Sequence, residues 1–177
     1  MIGRTIEIDG VLIHFEFFEH PLILARAEEL VSAVVAILPH WTKQVYVHSK
    51  IDPPNNECWA CSISQAPEYR QLTVTMYASF WDLPPSCQIQ NVLHEFAHST
   101  VGGLTEWVKV QLLAFIGRRH PDVAEVLQNQ FIMEMESTVE SLTWTLMKVM
   151  QFDWDGAIKT PGKQTPGTET GRYGSGT

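Results

Sequence analysis

His94-Glu95-Phe96-Ala97-His98 places two imidazoles and a carboxylate at a spacing that has chemical meaning. On a helix, residues four apart lie about 40° apart around the axis and one turn apart along it. Two imidazoles so placed can share one Zn²⁺. Glu95 stands beside them, off the ligand face, where a general base can take a proton from a zinc-bound water. The chain has seven His and fourteen Glu in 177 residues. About 2% of shuffled chains of this composition would contain the pattern by chance, so its surroundings must decide. Around it, Ile89, Val92, Leu93, Phe96, Ala97 and Val101 cover most of the helix circumference, which predicts a buried helix. Buried His and Glu need partners, and a metal supplies one.

Two His do not complete a site. A third His six residues beyond the second, with Gly at the third, would extend the motif, but those positions hold Leu104 and Val101. The inverted order H-x-x-E-H is also absent. A Glu from a later helix then remains, giving a His₂Glu site with water in the fourth position. The segment 130–150 is the place to find it. Ile132, Met135, Val139, Leu142, Leu146 and Met150 form an apolar stripe at helical spacing, with Glu134, Thr138, Ser141, Thr145 and Lys148 opposite. Glu136 borders the apolar stripe and is the expected third ligand, since a carboxylate there rarely survives unpaired. Glu140, one turn on, suits a hydrogen bond to a ligand His or serves as a substitute ligand. Glu134 is expected to face solvent. The competing reading leaves Glu136 at the core edge and Glu140 beside Lys148 at the surface.

With Glu136-Ser-Thr-Val-Glu140 downstream of the first motif, the chain resembles the zincin metallopeptidases of the gluzincin type. In that family a Glu from an E-x-x-x-[DE] helix completes the site. The small size resembles the minimal zincin domains of phages and bacteria, including the ImmA/IrrE class. The matching motifs lie within residues 70–150. The resemblance implies one Zn²⁺ per chain, a protein or peptide substrate, and hydrolysis of peptide bonds by a zinc-bound water with Glu95 as base. An alternative is a non-catalytic, phage-type structural or regulatory module on a zincin scaffold. A further one is an amidase acting on cell wall. An intact Glu95 favours chemistry, because a structural site needs no base.

The elements expected to position these residues form an α+β pattern: a small N-terminal β-sheet, the site helix, then a helical part. Thr5–Ile8 and Val11–Phe17 read as a hairpin about Asp9-Gly10. Pro21 to Leu38 reads as a helix stopped by Pro39, and Gln44–His48 as a strand. Cys58–Ser64 and Gln71–Ser79 read as strands around a turn at Gln65–Glu68. The strand Leu72–Tyr77 is the candidate for pairing with an extended substrate. Pro84-Pro85-Ser86 predicts an N-cap serine for the site helix, and Gly102-Gly103 its stop. Helices are expected at 104–118, 121–128 and 129–151. Residues 1–154 form one domain on this reading. Residues 155–177, rich in Gly and Thr without apolar periodicity, read as a disordered tail.

Other features exclude rather than assign. Net charge is −8, with no basic cluster, which argues against direct binding to nucleic acid. No apolar run reaches eighteen residues, so no membrane span is expected. The first residues do not resemble a signal peptide, and the expected location is cytoplasmic, or the host cytoplasm if the chain is phage-encoded. Cys58-Trp-Ala-Cys61 lacks a second such pair and reads as structural thiols. Cys87 lies about 10 Å along the helix from His94, too far to ligate with it. Tyr77 and His120 are guesses for a transition-state donor, and His120 also a spare ligand.

Overall fold

The computed structural model describes residues 1–50 and 60–150, with only the backbone for residues 103–108 and 112. Cys58 and the segment 155–177 lie outside the described residues. The elements are β1 (Ile2–Ile8), β2 (Val11–Phe18), α1 (Pro21–Val34), β3 (Gln44–Lys50), β4 (Cys61–Ala66), β5 (Gln71–Tyr77), α2 (Ala78–Trp81), α3 (Pro85–Gly117) and α4 (Pro121–Val149). They make a mixed α+β fold on one five-stranded sheet of order β1-β2-β3-β5-β4.

The hairpin forms at Asp9-Gly10, where both residues take positive φ (51° and 77°), the geometry that matches the twist of the flanking strands. β2, β3 and β5 are mutually parallel, while β1 and β4 pair antiparallel at the two edges. The alternation along β2 and β3 turns Ile13, Phe15, Val45 and Val47 to one face. There they join Leu30, Val31 and Val34 of α1, and Ile89, Val92, Leu93 and Phe96 of α3, in one core. The opposite face carries Thr5, His14, Tyr46 and Thr73 in cross-strand register.

Polar contacts fix where α3 lies. The amide of buried Gln88 donates to the carbonyls of Phe80 (3.4 Å) and Trp81 (3.5 Å) and accepts from Arg26 Nε of α1 at 3.1 Å. Two residues past the motif, Thr100 Oγ1 donates to Ile37 O at 3.1 Å. These ties hold the His-bearing turns of α3 against α1 and the sheet.

Three helix boundaries differ from the sequence expectation. Ser86 is not the N-cap; α3 starts after Pro84, with no side-chain cap. Gly102-Gly103 does not stop the helix, which runs unbroken to Gly117. A Cβ at Gly102 would stand 3.0 Å from Gln65 Nε2, and that same amide donates to His98 O at 3.2 Å. The glycine therefore serves a close approach between β4 and α3, not a cap. Residues 121–149 form one helix, α4, rather than two. α3 and α4 pack as a long hairpin, about 50 and 43 Å in length.

The candidate substrate strand also needs correction. β5 is bonded on both sides, to β3 and β4, so none of its edges is open for an added strand. The edge is β4. Tyr77 N donates to Ala60 O at 3.0 Å, which sets the alternation along β4 and turns the backbone groups of Cys61, Ile63 and Gln65 away from β5. No helix among the described residues is long and apolar enough to cross a membrane.

Candidate metal centre

His94 and His98 project from α3 toward α4, and Glu136 meets them from α4. His94 Nε2 and His98 Nε2 are 3.2 Å apart. Glu136 Oε2 is 3.4 Å from the first and 3.6 Å from the second. A tetrahedral zinc with bonds of about 2.0–2.2 Å separates its ligand atoms by about 3.3–3.5 Å. The three contacts match the edges of such a tetrahedron, and the donor set of two imidazoles and a carboxylate suits Zn²⁺. Among the described residues these are the three grouped as a possible metal site. The two rings stand at 78° with centroids 4.8 Å apart, so each directs its Nε2 to a common point. Burial, the largest influence, lowers the His98 pKa; Glu136 opposes this and His94 adds to it. That favours the neutral imidazole, which is the ligating form.

Why α4 presents Glu136 follows from its buried line. Val139, Thr143 and Met147 are the buried residues of this helix. Glu136 continues that line by one turn, just past the point where the core ends. Thr143, fully buried, donates its hydroxyl to Val139 O at 2.8 Å, so its polarity is satisfied within the helix. Glu134, by contrast, accepts from Gln130 Nε2 at 2.8 Å on another flank. A cavity of about 220 Å³ between α3 and α4 is lined there by Val101, Lys109, Met135, Thr138 and Glu134, and not by Glu136.

Glu140 lies one turn beyond Glu136. Its Oε2 is 3.5 Å from His94 Nδ1, the ring nitrogen turned away from the triad. Its Oε1 accepts from Trp144 Nε1 at 2.6 Å. Glu140 thus reaches a ligand ring from behind rather than joining the three ligand atoms.

Glu95 reaches β4, where the Ile63 N–H donates to it. Its carboxyl is pushed from the ordinary 4.5 to about 7, chiefly by burial and further by the Glu136 charge, against the Ile63 N–H that donates to it. Cys61 is buried nearby, and burial together with the Glu95 charge pushes its thiol well above the usual range. A thiol held protonated is a poor nucleophile and ligand. Tyr77 is not at the centre. It shares the sheet face of Ser62, away from α3, and its hydroxyl lies 3.2 Å from Ser62 Oγ. His120 caps α4 sixteen residues before Glu136, about 24 Å along the helix. Neither guessed donor is placed to act.

Two participants escaped the sequence. The Ile63 N–H comes from a strand far away in the chain, and nothing local announces it. Trp144 had a signal, since it stands four residues after Glu140 on the same helix face.

In comparisons with protein-family models, curated proteins and solved structures, none matches the chain.

Proposed function

We propose that this protein is a zinc-dependent metallopeptidase of zincin type, with His94, His98 and Glu136 as ligands and Glu95 as general base. The observation that carries the reading is the division of labour on α3. His94 and His98 converge with Glu136 at tetrahedral-edge distances, while Glu95 is turned off that triangle toward a strand edge. A metal bound only for structure needs no such carboxylate.

A divalent ion held by His94, His98 and Glu136 would supply Lewis acidity to the attacking water. The chain supplies the rest. A carboxyl can both take and return a proton. Glu95 takes one from the attacking water and passes it to the leaving amine. Ile63 holds the Glu95 carboxylate in place through its N–H. The outward backbone groups of β4 at Cys61 and Gln65 flank that contact and suit an extended peptide laid along the edge.

The test is metal content followed by hydrolysis. Purified without chelator, the wild type is expected to hold about one zinc per chain, and the zinc-loaded protein to cleave members of a mixed peptide pool read by mass spectrometry. Glu95→Gln is expected to keep the zinc and lose the cleavage. Absence of metal from the wild type, or undiminished cleavage by Glu95→Gln, would overturn the assignment.

A further inference from the structure

We propose that Trp144 is a positioning residue for the metal centre, acting on His94 through Glu140. The inference rests on the zinc reading of the triad. Glu136, Glu140 and Trp144 stand at i, i+4 and i+8 on α4 and so share one stripe of the helix. Glu136 reaches the two Nε2 atoms, Glu140 reaches His94 Nδ1, and Trp144 reaches Glu140. The three side chains form a relay that ends on a ligand ring.

Each link has a physical reason. A His that ligates through Nε2 carries its proton on Nδ1, and that N–H needs an acceptor to fix the tautomer and the ring plane. Glu140 Oε2, 3.5 Å from Nδ1, is placed to be that acceptor, but the Glu140 side chain is about half exposed (49%), so burial alone does not hold it. A free carboxylate there would sample several rotamers. The indole N–H removes that freedom by bonding the second oxygen, Oε1, at 2.6 Å. Indole suits the task because it is donor-only and turns about two torsions, whereas a Lys or Arg would have more rotamers and would add charge beside the ligands. In this chain of contacts the indole N–H reaches His94 by way of Glu140.

That dependence gives the test. Zinc affinity is measured by competition with a chromophoric chelator for wild type, Trp144→Phe, Glu140→Ala and the double variant. Glu140→Ala is expected to weaken binding about 10- to 100-fold. Trp144→Phe, which keeps the ring and loses the N–H, is expected to weaken it about 3- to 10-fold, as a partial loss of the same support. The double variant should bind no more weakly than Glu140→Ala alone, because the indole then has nothing to hold. Trp144→Gln, which restores a donor at the same helix spacing, should recover most of the affinity. If Trp144→Phe costs as much in the Glu140→Ala background as in the wild type, the tryptophan acts only through packing and the inference falls. Unchanged affinity in Trp144→Phe would equally overturn it, with the triad left standing. A wild type that binds no zinc would remove the triad itself, a distinguishable failure.

Discussion

Replacing Glu95 by Gln should stabilise the metal-free protein, by an amount that grows with pH. The Glu95 carboxyl titrates near its ordinary 4.5 in the unfolded chain and at about 7 in the fold, because burial disfavours its charged form. The folded state therefore binds this proton more tightly. Below pH 4.5 the carboxyl is protonated in both states and costs nothing. As pH rises from 4.5 toward 7 the unfolded chain releases the proton first, and stability drains away. Above 7 the full cost is present. A displacement from 4.5 to about 7 corresponds to about 3 kcal/mol. Gln keeps an oxygen to accept the Ile63 N–H and carries no charge, so the variant escapes the cost. Urea denaturation of both proteins in chelator should show nearly equal stability at pH 4.5 and a variant more stable by about 2–3 kcal/mol at pH 8. The other titrating groups of the centre are present in both proteins, so the difference isolates Glu95. A pH-independent difference, or a variant less stable at pH 8, would refute the claim that a buried carboxylate is being forced to ionise here.

His94→Ala, His98→Ala and Glu136→Ala should each lose most bound zinc while Glu134→Ala keeps it; elemental analysis with retained zinc in Glu136→Ala would show that another carboxylate ligates. Phe96→Ala should cost about 3–5 kcal/mol in a denaturant melt, because Phe96 is fully buried between the two ligand His in sequence. Two of the α3 glycines, Gly102 and Gly117, should respond differently to alanine. Gly117→Ala meets Ala124 Cβ at an ordinary 3.5 Å and should gain roughly 0.5–1 kcal/mol of helix stability, whereas Gly102→Ala must displace the Gln65 amide from His98 O and should gain nothing; equal gains would remove the structural role given to Gly102.

The local arrangement of the candidate centre was legible in the sequence because helix geometry ties spacing to direction. His94, Glu95 and His98 needed only a helix to acquire their mutual placement. Glu136 needed one step more. The wheel set the apolar stripe through Val139 and Leu146 and left Glu136 on its border. The observed buried line runs through Val139, Thr143 and Met147, so Glu136 is aligned with it. Thr143 concealed that line, since a threonine reads as polar although its hydroxyl is spent on its own helix. What failed to be read is non-local. Gly102-Gly103 has the composition of a stop, and only the arrival of Gln65 from β4 explains a glycine inside an unbroken helix. Which of β4 and β5 is the edge depends on strand order, and consecutive strands of similar composition do not disclose it.

The helical hairpin has a mechanical consequence. The triad grips α3 at its tenth and fourteenth residues and α4 at its sixteenth, so long arms of both helices extend past it to the turn at Arg118–His120. From His98 to Gly117 the α3 arm measures about 28 Å. With the triad as fulcrum, a change of 10° in the angle of that arm carries the turn through about 5 Å. The arm ends beside Phe115, Val123 and Val126, all exposed. By lever length alone, a sub-ångström adjustment among His94, His98 and Glu136 would become a displacement of side-chain size at an apolar tip.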